Sequence, residues 1–357
     1  MNPNDSITHS TILHAIQDTN IGYFDELLSS GFDINAPYSQ SYLIHTAAAC
    51  GNLDVINYLV DKGVDLHVVN NLKYNAVHFA TIFNHLEVVK FFVKNGVDIN
   101  LQNEKGNTPL HESILKHHLD ICSYLIDSKA NLELKNFDGA TPLHFSVQFN
   151  YYDFAHKLIK AGANVNAQDN HTNTILHSAA NQSDYTLTQL LIDNKANIDT
   201  PNKLLKTPLH FASYRVNKAN IKILLDAGAD VNLQDSDGQT PLHLFMQTMD
   251  NNLMTFIDET FLTKPINFSL KNKHNENLLH IAACSGYLNI FQKAISTPNF
   301  EKDLKSRNID KQNVFDLAIQ INHPDIIDFI KTYQEYMSIK ASLPQNDNIN
   351  NSKKIKL

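Results

Sequence analysis

The sequence predicts an all-α repeat fold, an α-solenoid of about ten helix-turn-helix units joined by hairpin-like loops. Three observations lead to this prediction. A tetrapeptide ending in histidine recurs at a nearly fixed interval, a glycine-led phrase recurs between its copies, and hydrophobic residues make up 43% of the 357-residue chain. That composition supplies enough apolar side chains for a core, which units this short build only by stacking on one another.

The tetrapeptide sets the repeat length. It reads TPLH at 108–111 and in three further copies, and TILH, YLIH, NAVH or NLLH elsewhere. Six consecutive intervals, from His45 to His243, are 33 residues long, which chance does not produce. A tenth, degenerate copy has Asp316 in the histidine position. The histidines that end the complete copies are His14, His45, His78, His111, His144, His177, His210, His243 and His280.

Each copy predicts a short helix followed by a second one. Thr108 suits the N-cap position, because its hydroxyl accepts a hydrogen bond from an unpaired helix N–H, and Pro109 suits the first helical position. Leu110 and Ile114 then share one apolar helix face. After a turn, apolar residues at helical spacing from Leu119 onward predict the second helix. Neither helix is long enough to be stable alone, so each is expected to pack on the next copy.

The glycine-led phrase marks the end of the second helix. It reads GVDIN at 96–100, GANVN at 162–166 and GADVN at 228–232. Glycine suits the left-handed backbone that follows many helices. Lys129 and Lys195 stand in the glycine position, and a left-handed lysine costs about 1–2 kcal/mol relative to glycine. We therefore expect repeats four and six to be the softer ones.

The residue two positions after the histidine predicts close packing of neighbouring first helices. It is small in most copies, and Ile16 and Phe245 are the exceptions. A small side chain at this position lets the backbones of adjacent helices approach each other. The small residues are Ala47, Ala80, Ser113, Ser146, Ala179, Ala212, Ala282 and Ala318.

The repeat resembles that of the ankyrin repeat family. The 33-residue period and the TPLH-x-A phrase are the family's signature. The segments HLEVVKFFVKNGVDIN at 85–100 and IKILLDAGADVN at 221–232 match its second helix and loop. The resemblance covers about residues 6–340. It implies that the recurring histidine is structural, bonding the preceding loop and the neighbouring repeat, and that the chain is a protein-binding scaffold.

The repeat frame divides the chain into three parts. We expect an N-terminal extension at 1–9, the ankyrin repeat array at 10–340, and a polar, disordered tail at 343–357. Within the array, irregular repeats are expected near 244–280, where an insertion or a reoriented helix is predicted, and over 281–340.

The array is predicted to end in a capping helix. The segment Asp325–Met337 reads as an amphipathic helix longer than the others, with Ile326, Ile327, Phe329 and Ile330 on its apolar side. Solenoids need such a terminal cap to stay soluble.

Charge and targeting signals exclude several classes of protein. The net charge is 29 − 37 = −8, which argues against nucleic-acid binding, and no apolar run approaches the roughly 20 residues that cross a membrane. The first ten residues lack the basic and apolar regions of a secretory signal. Three cysteines form no disulfide framework. We expect a monomer that is cytoplasmic, or one delivered without a classical signal peptide into a host cytosol.

No residue pattern predicts a metal, cofactor or catalytic site. His111-Glu112 invites comparison with a zinc-binding HExxH helix, but the next histidines are six and seven residues away instead of four. We interpret the three cysteines as small buried hydrophobes at apolar helical positions. They are Cys50, Cys122 and Cys284.

The leading hypothesis for function is a non-catalytic scaffold that binds a protein partner through its concave face and loop tips. Candidate contact residues are the non-consensus side chains of the loop tips and first-helix ends, where aromatic residues and arginine often dominate binding energy. For Phe149 and Tyr214, packing back onto their own second helix is an equally good interpretation. The candidates are Phe137, Phe149, His171, Leu204, Tyr214 and Arg215.

Three further hypotheses remain. The resemblance implies that Asn100, Asn166 and Asn232 can be substrates of an asparagine hydroxylase, although turn hydrogen bonds explain them equally well. The Asn-, Lys- and Ile-rich, Gly-poor composition suggests an AT-rich genome, and the resemblance implies a second hypothesis, since ankyrin arrays without a signal peptide occur among effectors that intracellular bacteria deliver into host cells. An enzyme with a cryptic Cys/His site is the least favoured reading.

Overall fold

The computed structural model describes residues 9–38, 41–247 and 253–342. These residues confirm the all-α repeat prediction, since they form helices paired across short turns and no extended sheet. The predicted N-terminal extension, apart from residue 9, and the predicted tail lie outside the described residues. So does part of the predicted irregular segment, at 248–252.

Ten pairs of helices follow the repeat frame within the described residues. The first helices are α1 (His9–Gln17), α3 (Leu43–Cys50), α5 (Ala76–Ile82), α7 (Pro109–Leu115), α9 (Pro142–Gln148), α11 (Ile175–Ala180), α13 (Pro208–Tyr214), α15 (Pro241–Met246), α17 (Leu278–Ser285) and α20 (Val314–Ile321). The second helices are α2 (Ile21–Ser29), α4 (Leu53–Asp61), α6 (Leu86–Lys94), α8 (Leu119–Asp127), α10 (Tyr152–Lys160), α12 (Thr186–Asp193), α14 (Lys218–Asp226), α16 (Met254–Glu259), α18 (Leu288–Ala294) and α21 (Pro324–Ser342).

The tetrapeptide starts α5, α7, α9, α13, α15 and α17 with a capping box in which histidine replaces the usual glutamate, whereas Tyr42 at the N-cap of α3 makes no side-chain cap bond. Thr108 is the N-cap of α7, and its hydroxyl accepts from the backbone N–H of His111. In return, Nδ1 of His111 accepts from the backbone N–H of Thr108 at 3.2 Å. Two helix-end donors are thereby satisfied at once. The pairing requires a neutral ring with its proton on Nε2.

The remaining ring nitrogen connects neighbouring repeats. Nε2 of His111 donates to the carbonyl of Ala140 at 3.1 Å, and Nε2 of His78 donates to the carbonyl of Asn107 at 3.2 Å. His45, His210 and His280 make the same forward bond to Val68, Gln239 and Ser306. In these five repeats the histidine therefore bonds the loop of the following repeat, whereas Nε2 of His144 and Nε2 of His243 are buried without a hydrogen-bond partner.

Burial keeps the repeat histidines neutral. Because a charged imidazole would lose its hydration, burial lowers the pKa of six of them to about 4. A neutral ring is also what the capping box and the forward bond require. The six are His45, His78, His111, His144, His243 and His280.

The two ends of the array depart from this arrangement. In the first repeat α1 begins at His9, so Thr11 lies inside the helix and His14 is exposed, bonded to Ser10. The structural role expected for every repeat histidine is wrong for His14. In the last repeat Asp316 keeps the local capping box with Asn313. A carboxylate has no proton to donate onward, so the forward bond is lost there.

A second set of hydrogen bonds runs in the opposite direction, from the start of a second helix to the preceding repeat. Nε2 of His85 donates to the carbonyl of Ala49 at 2.9 Å, and His118 donates likewise to Ile82. Asn52 and His323 occupy the same place and bond Ile16 and Cys284. The interfaces between repeats two and three, three and four, and nine and ten therefore have bonds in both directions. Of these two kinds of bond, the described residues at the interface between repeats one and two make only the backward bond of Asn52.

The small residues predicted at the helix interfaces are all fully buried, as are the two larger exceptions. The left-handed backbone predicted at Lys129 and Lys195 is also confirmed, with φ of 66° at both. Gly96, Gly162 and Gly228 hold the equivalent positions with φ between 77° and 96°. The lysines therefore adopt a conformation that glycine reaches without steric cost.

The last three repeats are irregular. The second helix α16 has six residues and is followed by a 3₁₀ turn at Phe261–Thr263. An additional helix, α19 (Phe300–Lys305), follows α18 and was not anticipated from the sequence. The final helix α21 has 19 residues and extends to Ser342, beyond the predicted Met337. Its buried residues Ile326, Phe329 and Ile330 were predicted, whereas Ile327 is only half-buried.

The chain divides into two compact units. Unit one runs to Ala179 and includes Asp193–Ala196, whereas unit two comprises Ala180–Ile192 and everything from Asn197 onward. Their net charges differ, being 11 − 19 = −8 for unit one and 18 − 18 = 0 for unit two. Among the described residues, no helix combines the length and the apolarity needed to cross a membrane.

Candidate functional site

Exposed large apolar side chains are concentrated on one side of the repeats. Before α21, the described residues expose them in the loops that precede first helices and along the C-terminal parts of those helices. Second helices contribute only Tyr152, with Tyr185 just before α12. In the loops they are Val69, Leu72, Phe137, Leu204, Leu205 and Ile309, and at the first helices Phe83, Leu115, Phe149, Tyr214, Ile319 and Ile321.

Three of the predicted contact residues lie in unit one. Phe137 is 65% exposed at a hairpin tip, where its ring lies beside Gly106 of the preceding hairpin. His171 is exposed at the tip of a later hairpin. Phe149 is only 38% exposed, because its ring packs against Phe145 and Tyr151. Phe149 therefore contacts Tyr151, the N-cap residue of its own second helix, while part of its ring stays exposed, so each of the two interpretations holds in part.

The other three lie in unit two. Tyr214, the last residue of α13, is 66% exposed, so the packed-back alternative is wrong for this residue. Leu204 is exposed at a hairpin tip, and its carbonyl accepts from the backbone N–H of Ser236 in the next hairpin. Arg215 follows Tyr214 and is also exposed. Because the six candidates divide between two units, we treat them as two sets, not as one patch.

An apolar groove in unit one was not predicted. It encloses about 690 Å³ between the first three repeats, with Leu13, Leu72, Phe79 and Phe83 among its lining side chains. Polar groups at its edge include the amide of Gln17. The sequence contains a signal for this groove, since Phe83 occupies the same repeat position as the candidate Phe149.

A polar pocket in unit two surrounds Arg215. It encloses about 440 Å³ at the turns of repeats six and seven. The lining side chains include two cations, Arg215 and Lys218, and no carboxylate. Nε of Arg215 donates to Oδ1 of Asn181 at 2.9 Å, which holds the guanidinium toward repeat six. Val216 in the same turn has a φ of 56°, an unusual backbone for a β-branched residue.

The predicted hydroxylation sites are half-buried loop residues that connect repeats. Oδ1 of Asn100 accepts from the backbone N–H of Asn131 at 2.8 Å, and Oδ1 of Asn232 accepts from Asn267 at 2.8 Å. Asn166 donates to the carbonyl of Lys195. Glu133 and Asp199 occupy the same repeat position and accept the equivalent bond. The position therefore requires a hydrogen-bond acceptor, which asparagine supplies as one of several residues.

The cysteines do not resemble activated nucleophiles. Only Cys122 is fully buried as predicted, and burial raises the pKa of its thiol to about 12. Cys50 and Cys284 lie near the C-terminal ends of first helices and are half-buried, so the prediction of full burial was wrong for them. Burial raises the pKa of both thiols as well, which is opposite to what a reactive thiolate needs.

Glu112 belongs to a buried polar network instead of a metal site. Its Oε1 accepts from the side-chain amides of Asn103 at 2.9 Å and Asn107 at 3.1 Å. Asn136 of the next hairpin extends the network to Asn107. Buried polar groups need such partners, and here they fix a hairpin onto α7. Within the described residues, no group of three His, Cys, Asp or Glu side chains is arranged to hold a metal ion.

Comparison with known proteins identifies the repeat. Models described as "Ankyrin repeats (many copies)" match residues 44–93 and 191–245, and one described as "Ankyrin repeats (3 copies)" matches residues 77–169. A search of the curated proteins gives no match.

Solved structures agree with the family models. The ankyrin repeat domain of Bcl-3, described as a unique member of the IkappaB protein family, is 28% identical with a TM-score of 0.53. The alignment covers 56% of this chain and 92% of that domain. The human ASB11 ankyrin repeat domain is 25% identical with a TM-score of 0.50, covering 56% of this chain and 90% of that one. The chain belongs to the ankyrin repeat family, whose arrays typically serve as protein–protein interaction modules.

Proposed function

We propose that this protein is a non-catalytic binding module that holds a protein partner against its first helices and hairpin tips. The observation that carries the proposal is the one-sided distribution of exposed apolar side chains, from which second helices are largely excluded. Apolar groups exposed together within a polar surface are typical of protein contact sites. Repeat arrays use this kind of face for binding.

Two features support a contact surface of mixed chemistry. The groove of unit one offers space for apolar side chains of a partner beside Leu72 and Phe83. The exposed Tyr214 and Arg215 of unit two are residue types that often contribute most of the binding energy. Both sets lie on first-helix ends or hairpin tips.

The test is affinity capture from a candidate host lysate, quantified by mass spectrometry, with the full chain and two double variants. Phe137→Ala with Tyr214→Ala removes one exposed aromatic ring from each unit on the proposed binding side. At about 1–2 kcal/mol for each contact residue, we expect the double variant to lose at least about tenfold in affinity for the captured partner.

The matched control is Tyr152→Ala with Tyr185→Ala, which also removes one exposed ring from each unit but away from the proposed face. Because those rings are outside the contact surface, we expect partner recovery to be unchanged. Equal recovery by the parent and by the Phe137/Tyr214 variant would contradict the proposal.

Asparagine hydroxylation remains an alternative prediction. Asn100, Asn166 and Asn232 are half-buried, and each side chain makes a hydrogen bond in the loop. Intact mass measured after incubation with an asparagine hydroxylase distinguishes the two ideas, since each modification adds one oxygen atom.

An effector role inside a host cell, with the protein monomeric and cytoplasmic or delivered to a host cytosol, stays a prediction. It is supported by the Gly-poor, Lys-containing composition and by the family's frequent use as a binding scaffold.

A further inference from the structure

The turn pocket of unit two has the chemistry of an anion site. Its lining combines Arg215 and Lys218 with the hydroxyl of Ser183 and the amide groups of Asn181 and Asn217, and it contains no acidic side chain. Within the described part of the chain, neither cation lies within ion-pair distance of a carboxylate. Both positive charges are therefore open to a ligand.

The neighbouring acid does not neutralise the pocket. Asp184 follows Ser183, and its Oδ1 accepts from the backbone N–H of Thr186 at the start of α12, at 2.9 Å. A carboxylate in that position stabilises the helix N-terminus. Asp184 is therefore oriented toward α12 by a local bond.

The two cations are held toward different repeats. Asn181 binds Nε of Arg215 and so draws the guanidinium toward repeat six. Nζ of Lys218 lies 5.6 Å from the centre of the Phe256 ring, which draws it toward repeat eight. This cation–π contact leaves the ammonium charged and able to bind an anion. Because the two charges are held by different contacts, we assign them two carboxylates along a peptide chain, and the experiment below compares this with one compact phosphate.

An exposed aromatic residue adjoins one of the pocket residues in the chain, although it does not itself line the pocket. Tyr214 immediately precedes Arg215 and is 66% exposed. Val216 on the other side takes a left-handed backbone, whereas the equivalent turn residues are Asn84, His117 and Asn150, types that accept this conformation more readily. A β-branched residue has a higher steric cost in this conformation than asparagine does, and among the described turns between paired helices Thr19 in repeat one shares this feature with Val216.

We propose that this pocket binds an acidic segment of the protein partner, with carboxylates at Arg215 and Lys218 and an apolar side chain on Tyr214. This inference rests on the proposed protein-binding function and specifies the partner's chemistry. Because unit two has no net charge, the attraction of an acidic peptide comes from the two cations of the pocket. These cations are exposed to solvent, so added salt screens them and weakens the binding.

The test measures the binding of fluorescein-labelled octaglutamate to the full chain by fluorescence anisotropy, at low and at high salt. We expect binding at low salt that weakens as salt rises. Arg215→Glu with Lys218→Glu replaces attraction by repulsion at both contacts, and we expect at least about a tenfold loss of affinity. Arg215→Gln with Lys218→Gln removes the charges without adding repulsion and should give an intermediate loss.

The matched control is Lys293→Glu with Lys302→Glu, which makes the same charge change at two exposed sites of unit two. This variant should bind octaglutamate within about twofold of the parent, because only distant charges change. Circular dichroism on every variant verifies that the helices are retained.

Two outcomes would overturn the inference. The first outcome is an equal loss of octaglutamate affinity in the pocket variant and in the control variant. That result would show that octaglutamate binds by general charge attraction and not at the pocket. The second outcome is equally tight binding of a peptide whose only charged group is one phosphoserine. That result would show that the pocket prefers a phosphate group over a run of carboxylates. Either result would leave the capture experiment with Phe137 and Tyr214 as an independent test of protein binding. The octaglutamate measurement needs no captured partner, so its result does not depend on the success of the capture experiment.

Discussion

Units one and two share the same repeat frame but present different surfaces. In both, buried histidines bond an N-cap and the following loop, as His111 does in unit one and His210 in unit two. Unit one has a net charge of −8 and an apolar groove beside Phe79 and Phe83, whereas unit two is neutral with a cationic pocket at Arg215. The comparison teaches that the frame fixes the fold, whereas the exposed positions between frame residues are free to differ in chemistry.

The largest expected effect is a loss of folding stability in mild acid, and we expect unit one to lose more stability than unit two. Four of the histidines with a pKa of about 4 lie in unit one and two in unit two. An unfolded histidine has a pKa near 6.5, so below that pH the unfolded state binds more protons than the native state. Stability is therefore full above about pH 6.5 and falls as the pH decreases toward 4.

At pH 5.5 each of these histidines contributes a loss on the order of 1 kcal/mol, so we expect the loss to be about twice as large in unit one as in unit two. Hydrogen exchange followed by mass spectrometry, corrected for the intrinsic pH dependence of exchange, measures both units in one sample. Equal protection of the units at pH 7.5 and pH 5.5 would show that these histidines do not control stability.

A smaller effect tests whether the repeat histidine contributes equally to stability in the two units. His111→Ala and His210→Ala each remove a buried ring with its capping and forward bonds. We expect each to lower the free energy of unfolding by about 2–3 kcal/mol in urea titrations. The control is His14→Ala, which should change stability by less than about 0.5 kcal/mol because His14 is exposed. A cost at His14 as large as at His111 would refute this account of the histidine.

The smallest expected effect comes from exchanging glycine and lysine at the left-handed position that follows the second helix. Lys129→Gly in unit one relieves a left-handed lysine and should stabilise by about 1 kcal/mol, measured by urea unfolding. Gly228→Lys in unit two should destabilise by a similar amount. A Cβ atom at Gly228 would meet no atom within 4 Å, so the cost at this position comes mainly from the left-handed backbone. Changes of the same sign in both variants would contradict the prediction.

Much of the fold could be predicted because the repeat supplies many copies of each local signal. The start of α7, for example, is predicted by Thr108, Pro109 and His111, because helix capping depends only on residues close together in the chain. Copies with weaker local signals were harder to interpret. Helix α19 follows a Thr-Pro-Asn stretch that reads as a loop, and α1 begins at His9, so that Thr11 lies inside the helix although it occupies the N-cap position of the tetrapeptide.

The candidate site was predicted less completely. Tyr214 and Leu204 could be placed outside by their repeat positions, and both are exposed. Phe149 has an equivalent position, but its ring packs on Tyr151, a neighbour whose approach depends on side-chain geometry. The groove beside Phe83 and the pocket around Lys218 depend on residues from several repeats, and repeat positions alone do not give the space between them.

The sequence by itself determined the repeat length, the helix pairs and the positions that must be small or left-handed, because capping and backbone sterics act locally. Only the tertiary structure decided that the histidine bonds forward while His85 and His118 bond backward, since those partners are 29 or 36 residues away. It also decided which exposed side chains border a cavity. Burial and cavities result from packing between repeats, which no single repeat specifies.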